Sequence, residues 1–151
     1  MHEHYLLPDD RVAAETRIAE LEQLIQDLGE DFRDAFTQSS ETWHDNSPFE
    51  AVRDTQSMYA AELHKLRTLL RSSTLVAPKK KRGTAGIGSL VTLKNGAQYR
   101  IAGDWTQHAG RHHDGTYWVS CHTPVAQALL DKKPGDGVSF GKNQTTIESI
   151  T

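Results

Sequence analysis

Apolar residues in the first half of the chain recur at alternating steps of three and four. Between residues 48 and 71, Phe49, Val52, Gln56, Tyr59, Leu63, Leu66 and Leu70 fall on one seam of a helix, and Gln56 alone interrupts its apolar run. Upstream, Ile18, Leu21, Ile25, Leu28, Phe32 and Ala35 repeat the alternation, while Leu24 and Phe36 widen the stripe toward that of a packed helix. Pro8 with Asp9 and Asp10 marks the start of the first helix, acidic side chains facing the positive end of its dipole. Pro48 does the same for the second, with Ser47 or Asn46 as its cap. A short polar connection joins the two, so the nearest partner of each helix is the other, folded back as an antiparallel coiled-coil hairpin. The second helix spans roughly 35 Å and the first somewhat more, which carries the connecting turn far from any globular body.

From Gly88 the period changes to two. Residues 89–93 and 98–102 read as strands joined through Asn95-Gly96, a pair suited to the positive dihedrals of a hairpin turn. A polar loop from Gly103 to Gly115 precedes a strand at residues 116–121. Thr123 and Pro124 then predict the cap and first position of a short helix through Leu130. A turn at residues 131–136 leads to two closing strands, 137–140 and 145–150. The expected fold class is therefore α+β: a helical hairpin over residues 1–77 with its tip at about 38–48, a linker at 78–87, and a small antiparallel sheet domain with one helix at 88–151.

Charge sharpens that division. Residues 1–77 hold 7 Lys and Arg against 15 Asp and Glu, whereas residues 78–151 hold 10 against 5, so the overall formal charge of −3 conceals two opposite poles. Lys79, Lys80, Lys81 and Arg82 make the linker a weak candidate for contact with nucleic acid phosphates, although a solvated linker is the commoner fate of such a run. The lone Cys121 reads as a buried small residue in a reducing, cytoplasmic compartment. Neither a membrane span nor a signal peptide is expected. His108, His112 and His113, with Asp104 and Asp114 nearby, raise the question of a metal, but their spacing matches no closed zinc site. No nucleophile elbow or phosphate-binding glycine loop is present in the sequence, and no catalysis within this chain is expected.

Two longer stretches carry a resemblance. Residues 118–136, from Trp118 through Thr123-Pro124 to Lys132-Lys133-Pro134-Gly135-Asp136, resemble the strand, Ser-Pro, short helix and Gly-Lys-Lys-x-Gly-Asp turn of the bacterial transcript cleavage factors of the GreA/GreB family. Asp45-Asn46-Ser47-Pro48-Phe49-Glu50-Ala51-Val52-Arg53 is similar to that family's entry into the second hairpin helix. The resemblance implies an FKBP-like C-terminal domain that docks at the rim of the RNA polymerase secondary channel through His122, Thr123, Pro124, Lys132 and Lys133. It also implies a hairpin tip whose acids, Asp45 and Glu41, assist magnesium shared with the polymerase active centre in cleaving backtracked RNA, with no cofactor of the chain's own. Thr42, Trp43, His44 and Asn46 would be further tip contacts, the nascent RNA 3′ end among their targets, and the factor an expected monomer.

The tip departs from the family pattern. Aligned on Asn46, Asp45 occupies the second acidic position, Thr42 the first, and Glu41 stands where the family has glycine. Two other readings therefore stay open: a non-cleaving occupant of the channel, and a coiled-coil dimerisation protein unrelated to transcription.

Overall fold

The computed structural model describes the backbone of residues 4–39 and 47–151. The chain divides into two compact units, one comprising Met1–Arg11 with Ser72–Thr151 and the other Val12–Arg71. The divide thus falls inside the first helix, and residues 4–11 and 72–77, which the sequence reading groups with the hairpin, pack with the sheet.

The hairpin unit is built from α1 (Pro8–Ser39) and α2 (Ser47–Arg71). On α2 the seam sinks Leu63 and Leu66 and half-buries Val52, Tyr59 and Leu70, while Gln56 is exposed. On α1, Leu21 is fully buried, and Ala14 continues its stripe one step N-terminal of Ile18. The side chains of Phe32, Ala35, Phe36 and Phe49 lie outside those described. Among the described residues, ion pairs tie the helices: Arg17 donates through Nε and Nη2 to both carboxylate oxygens of Glu62, at 2.7 and 3.0 Å, and Arg67 reaches Glu22 at 2.6 Å.

The Arg17 guanidinium holds the Glu62 carboxyl below its usual range, against a smaller opposing effect of burial. A depressed pKa means that the unfolded chain binds more protons in this window, so the bridge contributes above the ordinary glutamate range and is lost as pH falls through the depressed value. Both side chains are more than a third exposed, so its worth is below about 1 kcal/mol. Glu62→Gln is accordingly expected to flatten the acid limb of the hairpin's stability profile by that small amount, as read by circular dichroism melts between neutral and acid pH.

The other unit contains two sheets. A two-stranded parallel one pairs β1 (His4–Tyr5) with β2 (Ser73–Thr74). The main sheet has six strands: β3 (Leu90–Leu93), β4 (Gln98–Ile101), β5 (His112–His113), β6 (Thr116–Val119), β7 (Gly137–Phe140) and β8 (Asn143–Ile150), in the order β5-β6-β4-β3-β8-β7. Its neighbours are antiparallel except β4 and β6, so the sheet is mixed where the sequence reading had it antiparallel. The cause is the connection: a run as long as 102–115 can carry the chain back to start a parallel strand, which a tight turn cannot. The β3–β4 hairpin closes as expected, with Gly96 at φ +91 and the Asn95 side chain accepting from the Ala97 amide at 3.0 Å.

One helix, α3 (Pro124–Leu129), lies with Ala126 and Leu129 fully buried in a core shared with Val91, Leu93, Ile101 and Ile147. Ala85 joins the same core, and its amide and carbonyl bond to Lys132 O and Asp131 N at 2.9 Å each. Residues 84–86 are buried, so that part of the expected linker belongs to the domain body. Among the described residues no helix is long and apolar enough to cross a membrane.

Candidate functional site

The end of β6 feeds directly into α3, and that junction carries the residues the sequence singled out for docking. Thr123 caps α3: its hydroxyl accepts from the Ala126 amide at 3.3 Å and donates to Ser120 O at 2.8 Å, and Pro124 takes the first helical turn, where a missing amide costs nothing. The Thr123 hydroxyl is thereby spent on the fold. His122 and Pro124 stand exposed on either side of it.

His122 is held from beneath by Asp104. Its Nε2 donates to Asp104 Oδ1 at 2.5 Å, while Asp104 Oδ2 accepts from the Tyr5 amide at 2.7 Å and the Asp104 amide donates to Tyr5 O at 2.8 Å. Burial by itself would raise the Asp104 carboxyl; the Tyr5 amide and the His122 ring outweigh it and hold the group below the usual carboxylate range. The neighbouring Cys121 is buried, and burial, with the Asp104 charge added, pushes its thiol up. Its carbonyl accepts from Gln127 Nε2 of α3 at 2.7 Å, and its amide donates to Gly103 O at 3.1 Å. Strand end, helix and the 103–104 turn thus fix the Cys121-His122 pair from three directions.

The basic residues divide between two places. Lys79 and Lys80 line a cleft of about 210 Å³ together with Ile87, Cys121, His122 and Leu130. Lys80 is further engaged through Nζ, which donates to Ser89 Oγ at 3.0 Å. Lys81 and Arg82 are exposed beyond the cleft lining. Lys132 and Lys133 sit in the turn after α3, where Asp131 takes a left-handed φ of 65 and the Lys133 amide donates to Asp136 Oδ2 at 2.8 Å; Lys133 is exposed and Lys132 half-buried.

The rings of the histidine loop pack on one another and on aromatic neighbours. His108 and His113 stack with ring centroids 4.1 Å apart, the His108 ring meets Trp118 edge-on, and His112 tilts against Tyr117. Asp10, fully buried in the first turn of α1, accepts from Thr106 Oγ1 and the Gln107 amide at 3.0 and 3.1 Å, which anchors the loop's beginning. Burial pushes its carboxyl up against the lowering effect of those bonds. The sequence offers no sign of Tyr5's part, marks Asp10 only as a helix-start acid, and places Asp104 with the histidine loop instead of under His122. Their partners lie about a hundred residues away for the first two and 18 for the last, with no local pattern to announce them.

The hairpin-tip residues Glu41, Thr42, Trp43, His44, Asp45 and Asn46 lie outside the described residues.

Residues 79–151 match the family model described as "Transcription elongation factor, GreA/GreB, C-term". "Transcription elongation factor GreA" of Macrococcus caseolyticus (strain JCSC5402) is 28% identical over 102 residues, a stretch that takes in 63% of this chain and 60% of that protein's length. Among solved structures, GreA factor homolog 1 (Gfh1) of Thermus thermophilus is 20% identical with a TM-score of 0.46, covering 99% of both chains. Thermus aquaticus Gfh1 is 17% identical with a TM-score of 0.41 over the same share of each. Residues 79–151 thus carry the match to the C-terminal domain of the GreA/GreB family.

Proposed function

We propose that this chain is a Gre-type transcription elongation factor that binds RNA polymerase at the secondary channel and stimulates cleavage of backtracked RNA by the polymerase itself. The observation that carries the reading is the matched C-terminal domain, and the β6–α3 junction supports it locally. A docking edge needs side chains that face outward from a rigid base. His122, Pro124 and Lys133 are exposed, while the backbone beneath them is locked by the Thr123 cap, the Gln127–Cys121 bond and the Asp136–Lys133 bond. Lys132 and Thr123 support the edge mainly through structure.

At the tip, Asp45 and Glu41 would supply carboxylate oxygens to magnesium shared with the polymerase active centre, the hard ligand type that ion takes. Raised occupancy of a second magnesium there stabilises the attacking and leaving oxygens of the cleavage step. The factor then acts as an accessory donor of side chains, as a cytoplasmic monomer, and the polymerase does the chemistry.

Stalled, backtracked elongation complexes incubated with the protein at limiting magnesium test the reading. Faster release of 3′ fragments is the expected result, abolished by Asp45→Ala combined with Glu41→Ala while binding to core polymerase persists. No stimulation by the wild-type chain would sink the cleavage reading. If the chain still binds and competes with an authentic cleavage factor, the non-cleaving occupant takes its place, a reading favoured specifically by Thr42 at the first acidic position.

A further inference from the structure

We propose that Asp104, Cys121 and His122 form a binding site for a transition-metal dication of the zinc class. A carboxylate oxygen, a thiol sulfur and an imidazole nitrogen from these residues lie within 4.8 Å of one another, the only such group of three among the described residues. Zinc–ligand bonds of about 2.0–2.3 Å in a tetrahedron set donors roughly 3.5 Å apart, so small side-chain adjustments bring the three into range. The donor chemistry selects the ion: thiolate and imidazole suit zinc and its neighbours, whereas magnesium and calcium require oxygen ligands throughout.

The surroundings resemble those of a built site. Asp104 Oδ2 is held by the Tyr5 amide at 2.7 Å, an outer hydrogen bond of the kind that orients a ligating carboxylate and leaves Oδ1 aimed at His122. The Cys121 backbone is pinned at both ends by Gly103 and Gln127. Cys121 and His122 both line the 210 Å³ cleft, which supplies an entry path and room for water as the fourth ligand. On binding, the Cys121 thiol gives its proton to solvent, the His122 ring proton passes from Nε2 to Nδ1 by exchange with solvent, and the His122–Asp104 hydrogen bond is replaced by two metal bonds. The thiolate and carboxylate then neutralise the dication.

The site stands independently of the cleavage reading. Its test uses the full chain without an affinity tag, stripped with chelator and titrated with cobalt and then zinc. The expected result is a single equivalent of cobalt with a thiolate-to-cobalt charge-transfer band, displaced by zinc. Cys121→Ser should remove the band. His122→Gln, at a side chain 58% exposed and with an amide that can still donate to Asp104, should weaken binding by at least roughly 10–100-fold. Absence of cobalt binding, binding without the thiolate band, or binding untouched by His122→Gln would overturn the proposal, the last pointing to the His108–His113 loop.

Discussion

Gly103→Ala is expected to destabilise the sheet domain by about 2–4 kcal/mol, at or above the upper range of ordinary overpacking. A Cβ at this position would land on the Tyr5 carbonyl oxygen, 2.7 Å from the Tyr5 carbonyl carbon and 3.0 Å from the Leu6 Cα. All three atoms are backbone, so no rotamer change relieves the clash. Either β1 moves off or the 103–104 turn shifts, and each route breaks bonds that the turn makes. The Asp104 amide donates to Tyr5 O, Asp104 Oδ2 accepts from the Tyr5 amide, and Gly103 O accepts from the Cys121 amide. The easier route releases residues 4–7, which would expose the buried Leu6 and leave the Asp104 carboxylate with one fixed partner fewer. Urea unfolding measures the loss, and amide exchange at Tyr5 reports whether β1 has come away. A change within about 0.5 kcal/mol, the range of neutral surface substitutions, would contradict the close approach.

The same close approach explains why some of this fold could be read from the sequence and some could not. Features set by neighbours within a few residues were legible. Asn95-Gly96 demanded a hairpin, Thr123-Pro124 a capped helix, and the α2 seam a buried face, and each is found in place. Asp114-Gly115 carried an equally plain signal that the loop reading overlooked: φ values of 53 and 78 make it the two-residue turn between β5 and β6. What lies beyond local reach is different in kind. β1 is two residues long and pairs with a strand almost seventy residues on, and no period can be defined over two positions. Ala85 reads as linker because it follows four basic residues, yet long-range bonds to Asp131 and Lys132 pull it into the core.

The candidate site divides along the same line. Thr123 and Pro124 announce themselves through helix capping, but the docking roles proposed for His122 and Lys133 come only from a family resemblance. The Asp104 carboxylate under His122 emerges only when the 102–115 connection has returned the chain alongside β4. A polar residue after a glycine looks like any loop aspartate until its partner is known. That is why the metal question arises at His108, His112 and His113, where histidines are dense in sequence, whereas the three different donors that meet in space are Asp104, Cys121 and His122.

Leu129→Ala should lower the stability of the sheet domain by about 2–5 kcal/mol, the range for deleting a fully buried leucine from a close-packed core. α3 has six residues, far too few to be stable alone, so it persists only because Ala126 and Leu129 are buried against the sheet. Removing three carbons from the position nearest its C-terminal end leaves a void that Ala126, already fully buried, cannot fill. The loss then travels along the bonds that α3 makes. Gln127 Nε2 holds the Cys121 carbonyl and the Thr123 oxygens cap the first turn, so a frayed helix frees the turn that presents His122. Amide protection at Ala126, Gln127 and Leu130 should therefore fall further than protection in β3 and β8, whose pairing does not depend on the helix. Chemical denaturation gives the magnitude and residue-resolved exchange gives the location. A loss below about 1 kcal/mol would mean that the sheet holds its core without the helix. An equal fall in protection across β3, β8 and α3 would mean that the helix and sheet open as one unit, and the proposed docking edge could then not be loosened separately from the fold.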